Sequence, residues 1–210
     1  GTVKGCINSG QINGTGTAFV GGIVGTNFQG SIVSCTNSGS LENAGTTGGI
    51  AGRSSDGEVR HCINQGPLLC TGAEAIGGIT GDSIQSLIRY CANEGPVSGL
   101  TAATVGGVVG NNGGNDTTPG IIRDCFNKAR VEGASMAGGI AGESHGCIQN
   151  CYNSGYVLAN ARVGGIVVDS LFGTIENCYN GGTLAAVSNP VSGIVATNSA
   201  TVSNCYWLTS

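Results

Sequence analysis

The sequence predicts an all-β chain: a parallel β-solenoid, right-handed and three-sided, of about seven coils of about 28 residues each. Three observations carry this prediction. A five-residue glycine phrase recurs seven times, a cysteine phrase recurs eight times between its copies, and three aliphatic columns keep step with both. Self-similarity at a fixed period of this size is the mark of a repeat array in which each unit buries its apolar face only by stacking on the next.

The glycine phrase is first Gly21-Gly22-Ile23-Val24-Gly25 and returns in close copies beginning at Gly48, Gly77, Gly106 and Gly138. Two weaker copies follow, Gly164-Gly165-Ile166-Val167-Val168 and Ser192-Gly193-Ile194-Val195-Ala196. The steps are 27, 29, 29, 32, 26 and 28 residues. The second phrase runs Cys-x-Asn-x-Gly, as in Cys35-Thr36-Asn37-Ser38-Gly39. It recurs from Cys6, Cys62, Cys91, Cys125, Cys151 and Cys178, with Ala129 replacing one glycine, and it ends at Cys205-Tyr206-Trp207, where Trp replaces Asn. Aliphatics stand three residues before each Cys (Ile32, Val59, Ile88), six after it (Leu41, Leu68, Val97) and just before the glycine phrase (Val20, Ile76, Val105).

Short β-branched stretches punctuated by Gly, Asn and Ser are strand and turn signals. No window shows the apolar spacing of an amphipathic helix. Each strand therefore pairs with its equivalent one coil on, about 4.8 Å away. Crossovers between parallel strands of one sheet favour the right hand. Stacking places identical residues over one another, so the Ile23 column faces inward. The Asn column forms a hydrogen-bonded ladder at a bend, and the Gly two residues later takes a positive φ. The Cys step from Cys91 to Cys125 is 34 residues, and Asn111 to Gly120 reads as a protruding loop, either a binding insertion or a tolerated one.

Bulk composition excludes several classes. Gly makes up 40 of 210 residues, more than twice the usual share of roughly 7%. The net charge of −4 is small and dispersed, which argues against nucleic-acid binding. No apolar run approaches the roughly 18 residues of a membrane span. Residues 1–210 read as one array. The chain starts in mid-repeat, so it reads as a segment of a longer protein whose neighbours cover its strand edges, or which stacks end to end.

Together the two phrases resemble the GLUG repeat, and the resemblance covers essentially the whole chain. It implies a bacterial, extracellular or cell-surface setting. There such repeats form a β-solenoid in adhesin-like proteins and beside the catalytic domain of immunoglobulin-A-cleaving metallopeptidases. By that resemblance the segment is a non-catalytic stalk or recognition module with a host glycan or host surface protein as partner. The alternative is an accessory or carbohydrate-active β-helix segment of a secreted peptidase or polysaccharide-degrading enzyme.

The residues themselves show no catalytic set, no metal site and no cofactor motif. The ladder cysteines read as buried free thiols, since small apolar behaviour suits a stacked interior, although export favours oxidation. Cys70 reads as a corner filler. His145-Gly146-Cys147 with Cys151 lacks a fourth zinc ligand. The acids Asp56, Asp82, Asp116, Asp124 and Asp169 fall at scattered phases, and the threonines, Thr17 among them, keep no single phase. Two columns are candidate ligand-binding surfaces. Arg60, Arg89 and Arg123 stack on successive coils, either as an anion site for an acidic sugar or as a solvated face. Phe126, Tyr152, Tyr179 and Tyr206, each one residue after a Cys, form an outward strip on the last four coils. It either suits the faces of sugar rings or shields the sheet beneath it.

Overall fold

The computed structural model describes residues 1–16, 18–43, 45–72, 74–101, 104–115, 117–188 and 191–208; Thr17 and Asp116 lie outside them. Among the described residues every regular element is a strand. Each strand pairs in parallel with its equivalents one coil before and after, which makes a β-solenoid of about seven turns. One coil runs through Ser31–Val33, Thr36–Asn37, Leu41–Asn43, Thr47–Gly48 and Ala51–Ser55. We number the resulting stacks sheets 1 to 5 in that order. Among the described residues sheets 1 and 2 have eight strands, and sheets 3, 4 and 5 have seven.

Five strands per coil replace the three that the aliphatic columns predict. The reason is a backbone corner that apolar patterning does not encode. The residue between sheets 1 and 2 is left-handed in all eight coils: Gly5, Ser34, His61, Tyr90, Asp124, Asn150, Asn177 and Asn204 have φ between 50° and 65°. Gly, Asn and Asp adopt that region readily; Tyr and His are held there by the surrounding stack. By contrast, the Gly after each ladder Asn has no positive φ. It is required by close approach instead, since a Cβ on Gly39 would sit 2.0 Å from the Gly10 carbonyl oxygen. The segment from Asn111 to Gly120 also differs from the expected loop. Asn111 to Gly113 complete the sheet 5 strand Val109–Gly113. Only the following residues turn outward, where Asn115 Oδ1 accepts from the Thr117 and Thr118 N–H groups at 3.0 and 2.9 Å.

The interior is divided in two. One core joins the Ile32, Cys35 and Ile50 columns, contributed by sheets 1 and 5 and the turns beside them. The other joins the Leu41, Cys70 and Ile76 columns of sheets 3 and 4, with Cys70 buried as a filler in a sheet 3 strand. Between them runs the Asn ladder. Asn37 Nδ2 donates to Asn64 Oδ1 at 2.8 Å and Asn64 to Asn93 at 2.9 Å, and the contact repeats through Asn127, Asn153 and Asn180. The second amide hydrogen goes to the carbonyl two residues on, Gly66 for Asn64, at 3.0 Å. The ladder side chains from Asn37 to Asn180 are fully buried. They fit because they face the second glycine of the phrase: a Cβ on Gly78 would lie 2.3 Å from Asn93 Cγ and 2.2 Å from the Gly107 carbonyl oxygen. At the C-terminal end Trp207 takes the Asn position and lies on Gly193 in the same way.

A second polar column escapes sequence reading. Four residues after the central aliphatic of each glycine phrase stand Asn27, Ser54, Ser83, Asn112, Ser144, Ser170 and Asn198, in register on sheet 5. Asn27 Nδ2 bridges the Gly30 carbonyl and Ser54 Oγ, both at 3.1 Å. Asn112 does the same toward Gly120 and Ser144. Each Asn closes a turn that the intervening serines leave open.

The Cys column is a stack of thiols. All eight of its members are free; those from Cys35 to Cys178 are buried, while Cys6 is exposed and Cys205 is half-buried. The Cys35 N–H donates to Cys62 Sγ at 3.5 Å, and the Cys35 thiol donates to the Val33 carbonyl at 3.4 Å. The neighbouring Cys91 sulfur, together with burial, pushes the Cys62 thiol up; burial first and then the adjacent sulfurs do the same at Cys125.

Two predictions follow from this packing. Gly78→Ala forces a Cβ into two backbone-anchored groups and should cost about 3 kcal/mol or more. Gly113→Ala meets nothing closer than 3.6 Å and should change stability by less than about 1 kcal/mol. Urea melts of the two variants decide the matter, and equal costs would show that the glycine column does not set the fold. The second concerns pH. The folded state holds Cys62 and Cys125 as neutral thiols, whereas unfolded thiols ionise near about 8.5. Above that pH the unfolded chain binds fewer protons than the folded one, so stability must fall as pH rises from about 8 to 10. A denaturation midpoint that stays flat across that window would contradict the buried thiol stack.

Candidate functional site

Among the sequence-predicted site residues, the four aromatics are brought together as expected. Sheet 2 pairs Phe126 with Tyr152, Tyr152 with Tyr179 and Tyr179 with Tyr206. Cys125, Cys151 and Cys178 point inward beside them, so strand alternation turns the rings out. The Phe126 and Tyr152 rings stack with centroids 5.0 Å apart and planes 11° from parallel. Tyr152 and Tyr179 are each 37% exposed, and Tyr206 is 68% exposed. Lys128 Nζ sits 4.6 Å above the Phe126 ring and pairs with Glu94 at 3.6 Å.

The left-handed corner sets a second feature beside the strip. Asn150 Nδ2 donates to Asp124 Oδ1 at 3.1 Å, and Asn177 Nδ2 donates to Asn150 Oδ1 at 3.2 Å. Asn150, Asn177 and Asn204 are exposed. An outward amide ladder therefore runs two residues from the aromatic strip along the same coils. The signal in the sequence is Asp124, Asn150, Asn177 and Asn204 directly before four successive ladder cysteines. It is masked because the same column reads Gly, Ser, His and Tyr in the earlier coils.

Arg60, Arg89 and Arg123 also share a register on sheet 1, but they are not a free cationic stripe. Glu58 accepts from Arg60 Nε at 3.1 Å and from Arg89 Nε at 2.7 Å. This bridging carboxylate holds the Arg89 guanidinium above its ordinary value. Arg89 also lies 5.5 Å from the Tyr90 ring, and Tyr90 stacks on His61 at 5.0 Å. Arg123 Nε is 4.0 Å from Asp124 Oδ2. Like charges placed one above another are thus separated by an acid from the neighbouring position of the same strand.

The acids require a correction. They are not all scattered: sheet 5 aligns Asp82, Asn111, Glu143 and Asp169 on consecutive coils. Their phase is constant when counted from the glycine phrase. It drifts when counted from the Cys, because the insert after Gly113 lies between. His145 and Cys147 line one small cleft, whereas Cys151 is fully buried in the core. Among the described residues no three His, Cys, Asp or Glu side chains are grouped as metal ligands, and no helix is long and apolar enough to cross a membrane.

Comparison with known proteins places this geometry. The GLUG motif profile matches residues 19–42 and 101–132. The chain carries the GLUG motif. Each matched segment holds a glycine phrase and the Cys-x-Asn phrase that follows it, so the GLUG segments contain both halves of the contact that divides the core. Comparisons with curated proteins and with solved structures found no significant match.

One substitution tests the Arg stripe. Glu58→Gln removes the bridging charge and should tighten binding of an acidic oligosaccharide several-fold in low salt, with the gain lost at high salt. An affinity unchanged by the substitution would leave the stripe a purely structural feature.

Proposed function

We propose that this GLUG array is a non-catalytic recognition module of a bacterial cell-surface or secreted protein, an adhesin-type stalk that binds glycan through its last four coils. The observation that carries the reading is the exposed strip Phe126, Tyr152, Tyr179 and Tyr206 with the amide ladder Asp124, Asn150 and Asn177 alongside. Aromatic faces offer flat apolar area and Tyr hydroxyls offer polar tips, while the amides supply donors and acceptors to ring hydroxyls. The steps of the strip, about 4.8 Å, run along the solenoid axis. The ligand is therefore an extended polysaccharide lying parallel to that axis. A rigid stack of parallel sheets also gives the module its second role, as a spacer that holds the strip away from whatever precedes it.

The test pairs binding with melting. Tyr152→Ser and Tyr179→Ser should each weaken glycan binding about tenfold, at 1.4 kcal/mol per tenfold. Each should lower stability by less than about 1 kcal/mol, the scale of a cross-strand pair. A glycan array on which the unaltered chain retains no polysaccharide, or a large loss of stability in both variants with binding per folded molecule unchanged, would overturn the reading.

A further inference from the structure

The outer seam between sheets 4 and 5 is a groove that the aromatic strip does not use. It encloses about 320 Å³. One wall is the sheet 5 column with Arg53, Asp82, Asn111 and Glu143; the other includes Phe19, Glu74 and Thr104. Both ends are closed by cations already engaged. Arg53 lies 5.1 Å from the Phe19 ring centroid and 3.4 Å from Asp82 Oδ2. Beyond Glu143, Arg162 of sheet 4 reaches across to Asp169 of sheet 5.

Between those ends the groove has more acceptors than donors. Asn111 Nδ2 donates to Asp82 Oδ1 at 3.2 Å, but Asn111 Oδ1 is shut off from solvent with no hydrogen-bond partner among the described residues. Glu143 engages His145 Nε2 through Oε1 at 2.8 Å. The Thr104 hydroxyl, a donor on the facing wall, is committed to the Glu74 carbonyl at 3.2 Å. The Asp82 carboxyl is raised above its ordinary value, chiefly by burial and further by Glu74, against the opposing pull of Arg53 and Asn111. It therefore lies in a site short of positive charge. The acids are too dispersed to chelate a metal ion. What fits is a group that is positive, small and rich in N–H donors.

We propose that this groove binds an organic ammonium group, the shared chemistry of a lysine side chain and an amino sugar. Asn111 Oδ1 and Glu143 accept its N–H bonds, and Glu74 supplies charge at the rim. The site stands on the face of sheet 5, so it does not depend on the glycan strip of sheet 2.

Calorimetric titration of the intact chain with glucosamine and with Nα-acetyl-lysine methylamide tests this, against glucose and the Nε-acetylated lysine as neutral counterparts. At least one ammonium probe should bind, and at least tenfold more tightly than its neutral counterpart; which one binds identifies the source. Asn111→Leu and Glu143→Gln should each weaken it about tenfold with melting unchanged. Glu74→Gln, at the exposed rim, should weaken it several-fold and provides a variant that folds if Asn111→Leu does not. Equal binding of the neutral counterparts, no binding of either ammonium probe, or native affinity in Glu143→Gln and Glu74→Gln would overturn the proposal.

Discussion

A short side chain laid on a residue without one governs this fold. Each ladder Asn spans the coil from sheet 2 to the second glycine of the phrase between sheets 4 and 5, where a Cβ on Gly49, Gly78 or Gly107 would stand 2.3 to 2.6 Å from an Asn carbon. The two sides of the coil can approach that closely only because the glycine offers its bare Cα. The Asn then lies out of water, so its amide must be satisfied inside. Stacking does this: one hydrogen bonds up the ladder and one bonds within the coil. Gly and Asn are therefore mutually obligatory. Their contact divides the interior into an Ile and Cys lobe and a Leu and Val lobe, and the outer seam between sheets 4 and 5 becomes the groove.

Translational stacking also decides which residues can form a column. A column of identical charges repels itself, whereas an amide is self-complementary, donating on one side and accepting on the other. The buried Asn column is accordingly almost unbroken, and the thiol column is neutral. Where charge does repeat, it is interrupted: Glu58 reaches between Arg60 and Arg89, and the sheet 5 column alternates Arg53, Asp82, Asn111 and Glu143.

These same rules explain what could be read directly from the sequence. Inward columns keep one residue type, because the stack above and below is the same in every coil. The Ile50, Cys62 and Asn64 columns are thus visible as repeated letters, and with them the period, the strands and the buried thiols. The aromatic strip was visible for the same reason, with four rings in one phase. Backbone corners and solvent-facing columns tolerate varied residues. The left-handed corner holds Gly5, Ser34, His61 and Tyr90 in successive coils, so neither the corner nor the fourth and fifth strands it helps to define could be seen as a motif. The Asn27, Ser54 and Ser83 column mixes two residue types, and the groove column mixes five. Phase counted from the Cys also slips across the insert after Gly113, which hid Asp82, Glu143 and Asp169 from one another. Glu58 lies two residues from Arg60 but acts equally on Arg89, 31 residues away, a contact that only the coil spacing creates.

The regularity of a surface column bears on what it can recognise. Over the last four coils the strip repeats an aromatic ring and the corner beside it repeats a short polar side chain, so every coil presents nearly the same pair of groups one ladder step further along the axis. A ligand matches that surface best by repeating too, gaining a similar contact per coil, and a polymer of like units does so. The groove has the opposite character. Its residues differ from coil to coil, engaged cations close both ends, and its unpartnered acceptor, Asn111 Oδ1, occurs once. A repeating chain would gain nothing from a second coil there, whereas one compact cation satisfies the site completely. The same translational symmetry that builds the solenoid thus separates its two outer faces, one kept regular by repetition and one made singular by departing from it.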